Sequence, residues 1–275
     1  MQVEGREKGE PVFEFIPLDE RDNHHQRERR SGRGIELEKK AEALRGFAAL
    51  PRPSAGDLFL DFEGDPFAFD QGLEYLIGTV TISEEGKPIY DSIWSFDPKS
   101  EKRAFIEFIE KVKRARVANP DMHIYHYAPY EPTATKHLAG RHGVCADDVD
   151  ELLRAGVFVD LFRVVRQGLR ASVESYSIKK MEAFYGFRRT VALRDATSSL
   201  QAFESVLTLR DNPEDAKEIL NTIADYNRDD CLSTWQLREW LEKLRGELET
   251  KLGQAITRPE LKAGSASEGL EAELY

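Results

Sequence analysis

Cysteine is scarce in this chain of 275 residues: only Cys145 and Cys231 occur. Neither belongs to a Cys-x-x-Cys pair or a Cys/His spacing, which argues against a disulfide framework and against a structural zinc site. No run approaches eighteen consecutive apolar residues, so no membrane-spanning helix is expected. The opening residues, MQVEGREKGEPVFEF, have neither the basic start nor the apolar stretch of a secretory signal. Together these absences predict a cytoplasmic protein. Positive charge is also short, since 39 Lys and Arg against 50 Asp and Glu leave a net charge of −11. Affinity for a nucleic-acid backbone comes from cations that neutralise phosphates, so this balance argues against a coat-like binder. It leaves room for an enzyme with a local basic groove, and clustered acids are what hard divalent cations require.

What is present is enough apolar material, 40% of the residues, to enclose one good-sized core. The expected organisation is a charged linker with one helix over residues 1–50, a folded domain over 51–250 and a flexible tail over 251–275. The linker holds the basic run HHQRERRSGRG, read as a solvated segment, followed by the helical pattern IELEKKAEALRGF. Within the domain, DLFLDFE, EYLIGTVTI and KPIYDSIWSF are short apolar, β-branched and aromatic runs separated by turn residues. They predict three neighbouring antiparallel strands. Ser100 can cap a helix in which Phe105, Phe108, Ile109 and Val112 recur at helical spacing. MHIYHY then reads as a fourth strand, placed parallel by the strand-helix-strand step. Helices are expected over about 131–142, 147–155, 160–168, 176–185, 198–209 and 214–251.

Four places in this frame carry acids that chemistry could use. In DLFLDFEGDP, Asp61 and Glu63 share one face of a strand while Leu58, Leu60 and Phe62 take the other. Two adjacent acids repel unless water or a cation reaches both, and Gly64, Asp65 and Pro66 read as the turn beyond them. In YNRDDCLSTWQL, Tyr226 and Asp230 are four apart on a helix and so lie on one face. A phenol beside a carboxylate can orient a polarised water. Glu131 stands at a helix start, near the positive end of its dipole. Asp160 stands at another and can act as an N-cap. Singly, each has an ordinary explanation: a solvated strand end, a core tyrosine with a surface acid, a first-turn acid, a cap.

In order along the chain, Asp-x-Glu on a first strand, an acid after a central strand and Tyr-x-x-x-Asp on a late helix form a set. The set resembles the DnaQ-like, or DEDD, superfamily of 3′–5′ exonucleases in its tyrosine-bearing branch. The phrases DLFLDFEGDPF, GLEYLIG, HYAPYE, FVDLFRVVRQGLR, SYSIKKMEAFYG and YNRDDCLSTWQLREWL extend the likeness over residues 51–245. They resemble the bacterial exonuclease domain of YprB type that accompanies RecB-like nuclease and superfamily 1 helicase domains.

The resemblance implies an α/β, ribonuclease-H-like fold: a central mixed sheet, with its first three strands antiparallel and its fourth parallel, flanked by helices. It implies two Mg²⁺ or Mn²⁺ ions, with Asp61 bridging, Glu63 and Asp230 completing the first, and Glu131 holding the second directly or through water. The superfamily pattern has Asp where Glu131 stands. Tyr226 would position the attacking water, and Asp160 matches a supporting acid. Arg163, Arg166, Arg170, Lys179 and Lys180 are the basic residues nearest the motifs, and Tyr176 can stack on a base of single-stranded DNA or RNA; the equal alternative is that these residues are solvated faces of helices. Two other functions use the same residues: a catalytically silent nucleic-acid-binding module serving a helicase, and a small-nucleotide phosphodiesterase with a closed pocket.

Overall fold

Runs that alternate apolar and polar side chains become strands, and runs with three-and-four spacing become helices. The computed structural model describes residues 13–15, 45–190, 201–206 and 213–261. In chain order the elements are β1 (Phe13–Phe15), a 3₁₀ turn (Gly46–Ala49), β2 (Leu58–Asp65), β3 (Leu73–Ile82), β4 (Pro88–Trp94), α1 (Pro98–Ala118), β5 (Ile124–His126), α2 (Tyr130–His142), α3 (Ala146–Ala155), β6 (Phe158–Asp160), α4 (Leu161–Gly168), β7 (Leu169–Ala171), α5 (Ile178–Tyr185) and α6 (Pro213–Leu252). Residues 201–206 are also helical. The basic run at 24–34 and most of the helix expected after it lie outside the described residues, as do the flanks of the helix expected over 198–209.

The chain forms two compact units. Among the described residues, one gathers those within Met1–Arg52, Leu161–Arg188 and Gln236–Pro259, and the other those within Pro53–Asp160, Arg189–Trp235 and Glu260–Tyr275.

The second unit holds a five-stranded sheet in the order β4-β3-β2-β5-β6. β2 pairs antiparallel with β3, and β3 with β4, whereas β5 runs parallel to β2. This is the expected mixed sheet. A fifth strand, β6, joins it parallel to β5. At three residues, β6 is too short to show a period of two, and its last residue, Asp160, had the look of a helix start.

One face of the sheet offers Leu58, Leu60 and Phe62 to Phe105, Phe108, Ile109 and Val112 of α1, with Leu138 of α2 and Leu152 of α3 closing the core. Removing one of these buried aromatics, as in Phe108→Ala, costs about 3–5 kcal/mol. A second cluster joins Leu73, Tyr75 and Leu76 to Phe203 and to Ile223 of α6. Helices thus flank the sheet.

The cap of α1 differs from the expectation. Asp97 is the N-cap and accepts Ser100 N–H, while the Ser100 hydroxyl bonds back to the Asp97 amide in a capping box. Pro98 takes the first helical position, where a missing N–H costs nothing, and this moves the cap to Asp97. The expected turn at 64–66 also moves. β2 continues to Asp65, and its ladder shifts register between Glu63 and Gly64. A Cβ on Gly64 would fall 2.3 Å from Glu74 Oε2 and 2.7 Å from the Tyr130 hydroxyl, so any larger residue there would push both side-chain ends away.

The first unit pairs β1 antiparallel with β7. Phe13 packs edge-on against Phe184 and Trp240, and the buried Arg245 donates to Phe47 O and Ile256 O. Arg258 forms a two-bond ion pair with Glu242. Among the described residues, no helix is long and apolar enough to cross a membrane.

Candidate metal centre

Alternation along β2 sends Leu60 and Phe62 into the α1 core and Asp61 and Glu63 out of the opposite face. There they meet α6. Oxygens of Asp61, Glu63 and Asp230 lie within 4.8 Å of one another, the one acid or His/Cys group of this kind among the described residues. Tyr226 is buried one turn before Asp230, as the four-residue spacing requires. The neighbouring acid, Asp229, faces elsewhere: it accepts the Thr190 N–H at 2.7 Å and the Thr190 hydroxyl at 3.1 Å.

Burial first, then Asp230, Glu63 and Glu131, push Asp61 well above the ordinary carboxylate value, with Arg189 opposing. The Arg189 Nη2 lies 2.6 Å from Asp230 Oδ1, and its guanidinium sits 5.7 Å from the centroid of the Tyr226 ring. Burial also raises the Tyr226 phenol above its usual value, and the same acids add to the shift.

Glu131 enters from the start of α2 and is fully buried. Burial raises its pKa, and His126 works against that. Its Oε2 has no hydrogen-bond partner, and His126 Nδ1 is 3.3 Å away. His126 Nδ1 is also 2.7 Å from the Ala128 carbonyl, which can only accept, so that nitrogen carries the proton. Ala128 has φ +74°, a conformation disfavoured for a residue with a Cβ. Side chains hold both its polar groups: His126 bonds the carbonyl, and Asp160 Oδ1 accepts the N–H at 3.0 Å. Asp160 therefore fixes the turn that delivers Glu131.

A family model of the RNase H superfamily, RNase_H_2, matches residues 58–242. The chain belongs to the RNase H superfamily. No curated protein and no solved structure shows significant similarity to it. The RNase H superfamily fold is of nuclease type and implies a nucleic-acid substrate, and its nucleases typically use divalent metal ions. The donors here suit such an ion. All are carboxylate oxygens, the choice of Mg²⁺ and Mn²⁺ over zinc, and Glu131 Oε2 is a buried acceptor with no hydrogen bond of its own.

Several residues around this RNase H superfamily site escape the sequence patterns. Asn227 is 0% exposed and donates to Asp61. Its only signal is a polar side chain inside the buried stripe Ile223, Tyr226, Asn227, Cys231 and Thr234 of α6. Arg189 precedes residues 191–200, which lie outside the described residues, and has no periodic signal at all. Glu74, opposite Gly64, receives the Tyr130 hydroxyl at 3.0 and 3.1 Å.

The expected nucleic-acid contacts belong to the other unit. Arg163 and Arg166 lie on α4, and Lys179 and Lys180 on α5. Arg170 pairs with Glu14 at 3.5 Å across β7 and β1. The Tyr176 hydroxyl is tied to the β7 backbone, accepting from Ala171 N–H and donating to Leu169 O.

Proposed function

We propose that this protein is a metal-dependent 3′–5′ exonuclease of single-stranded DNA or RNA. The observation that carries the reading is the meeting of Asp61, Glu63 and Asp230 within 4.8 Å beside Tyr226. In this reading Asp61, Glu63 and Asp230 hold two Mg²⁺ or Mn²⁺ ions, and Glu131 joins them directly or through water. Bound there, the ions would clamp the attacking and leaving oxygens of an in-line displacement at phosphorus and make water more acidic.

The chain's own groups do the rest. The raised phenol of Tyr226 keeps its proton throughout the neutral range. It therefore orients water by hydrogen bonding and does not remove a proton. Asp160, through Ala128, holds Glu131 in place as a supporting residue.

Exposed aromatics favour a single strand over a small nucleotide in a closed pocket. Phe67, four residues beyond Glu63, is 83% exposed, Phe69 is 49% exposed, and Tyr130, adjacent to Glu131, is 47% exposed. Unpaired bases stack on such rings irrespective of sequence. Arg163, Arg166, Tyr176, Lys179 and Lys180 remain candidates for further backbone and base contacts. The YprB-type resemblance adds RecB-like nuclease and helicase domains as working partners, and the cytoplasm expected from the sequence is kept as the place of action.

Arg189 pairing with Asp230 favours a second reading, a silent binding module whose acids are neutralised by protein. Purified protein with Mg²⁺ or Mn²⁺ should shorten a 5′-labelled oligonucleotide from its 3′ end, and Asp230→Asn should not. Equal digestion by the two proteins, or none by the wild type, removes the exonuclease reading.

A further inference from the structure

Asn227 lies beside Asp61 in a space that the fold has left for it. Its Nδ2 donates to Asp61 Oδ2 at 2.7 Å and to Asp61 O at 3.1 Å, while its Oδ1 accepts the Tyr90 hydroxyl at 2.8 Å. The two amide ends cannot be exchanged. A backbone carbonyl only accepts, so the NH₂ must face Asp61, and the amide oxygen is left for the Tyr90 O–H. A carboxamide buried this completely is costly without partners, and here both ends have them.

The space comes from the register of the sheet. Gly78 is the residue on β3 directly opposite Asp61, and it pairs on its other side with Ser92 of β4. A Cβ at Gly78 would stand 1.5 Å from Asn227 Oδ1 and 2.6 Å from its Cγ. Any residue but glycine there would expel the carboxamide.

We infer that Asn227 is a positioning residue for the metal-holding carboxylate of Asp61, secured by the Tyr90 hydroxyl and by the missing side chain of Gly78. The inference rests on the proposed metal-dependent reading. One N–H on Oδ2 and one on the backbone carbonyl of the same residue fix the side-chain torsion of Asp61. The rest of the carboxylate is then presented to Glu63 and Asp230. The amide does this without net charge. It orders Asp61 without competing with a cation, unlike Arg189 at Asp230.

The test uses the full chain and three variants, Asn227→Ala, Gly78→Ala and Tyr90→Phe, each checked for folding by circular dichroism. Mn²⁺ affinity and stoichiometry are measured by calorimetry without nucleic acid, and kcat and KM are measured on a 5′-labelled single strand. Asn227→Ala and Gly78→Ala should bind Mn²⁺ about 10- to 100-fold more weakly, the usual effect of losing a group that orients a metal ligand. Their kcat should fall with KM for the strand little changed. Tyr90→Phe, which frees only the far end of the amide, should lose affinity in the same direction by a smaller factor.

Wild-type Mn²⁺ affinity in folded Asn227→Ala overturns the inference. If that variant does not fold, wild-type affinity in folded Tyr90→Phe and Gly78→Ala overturns it equally. Absence of Mn²⁺ binding by the wild type removes the functional reading itself and the inference with it. Binding by the wild type that is matched by every variant removes the inference alone.

Discussion

Arg189 and Asp230 form an ion pair at 2.6 Å within a cluster that already holds two other carboxylates. The guanidinium supplies part of the positive charge the acids need, so a divalent ion must work against it. Arg189→Met should lower the melting temperature of the metal-free protein, because Asp230 loses its partner. It should also raise Mn²⁺ affinity by up to about tenfold, the order expected for removing a nearby unit charge at an effective dielectric constant near 20. Thermal melts and calorimetry on the same preparations check both.

Repulsion among the acids is a cost the fold bears in return for a cation site. Replacing Glu63 by Gln removes one of the charges that raise the Asp61 pKa. Glu63→Gln should therefore stabilise the metal-free protein by about 1–2 kcal/mol, as relief of strain at functional sites does. Mn²⁺ should no longer raise its melting temperature, and activity should drop at least about 100-fold. Denaturant titration with and without Mn²⁺ would show the reversal.

For Tyr226 the two halves of the proposal separate. Tyr226→Phe keeps the buried ring and loses the hydroxyl, so Mn²⁺ affinity should stay within about twofold. Its kcat should fall about 10- to 100-fold, as for a misplaced nucleophile. Single-turnover digestion measures the step. A wild-type rate would remove the hydroxyl from the mechanism.

Glu74 sets a pH dependence. Burial raises its pKa from 4.5 to about 7, the Tyr130 hydroxyl opposes the shift, and Glu101 adds to it. A carboxyl whose folded pKa exceeds its unfolded value contributes stability that is complete below the unfolded value and lost as pH rises through the folded one. Stability should thus decline between about pH 4.5 and 7, and Glu74→Gln should flatten that decline. Asp61 and Glu131 shift the same way, so part of the slope should persist until metal is added. Melting temperatures from pH 5 to 8 test this.

If bases stack on the exposed ring of Phe67, Phe67→Ala should weaken binding of a single-stranded oligonucleotide by about 5- to 100-fold, the worth of one stacking contact. Mn²⁺ affinity should not change. Fluorescence anisotropy in Ca²⁺, which is expected to support binding with little cleavage, measures the loss. A Phe67→Trp variant should restore it.

The parts of the molecule that announce themselves in the sequence are those with a local period. DLFLDFE alternates, which puts Asp61 and Glu63 on one face, and Tyr226 and Asp230 are tied by one helical turn. Asn227 has no such tie. It is one position away from Tyr226, and its role depends on Asp61, 166 residues distant, and on a glycine across the sheet. The pairing of Phe13 with Ala171 is invisible for the same reason, since two three-residue strands carry too few side chains to show a pattern. Asp97 is hidden in the sequence because Ser100, its partner in the capping box, is itself a good cap. Gly64 read as a turn because Gly-Asp-Pro usually is one. What holds it in a strand is its ladder pairing with Glu74 of β3, a residue ten positions on that no local pattern ties to it.

The same long separation bears on the order in which a nascent chain matures. β2 through β6 can pair once residue 160 has been made, but Asp230 and Asn227 arrive on α6. Closing a loop of 166 residues is entropically late, so Asp230 joins Asp61 and Glu63 only after most of the sheet exists. Docking of that helix is therefore the step at which Asp230 adds its charge to those of Asp61 and Glu63, and the step whose rate divalent ions in the refolding medium should accelerate.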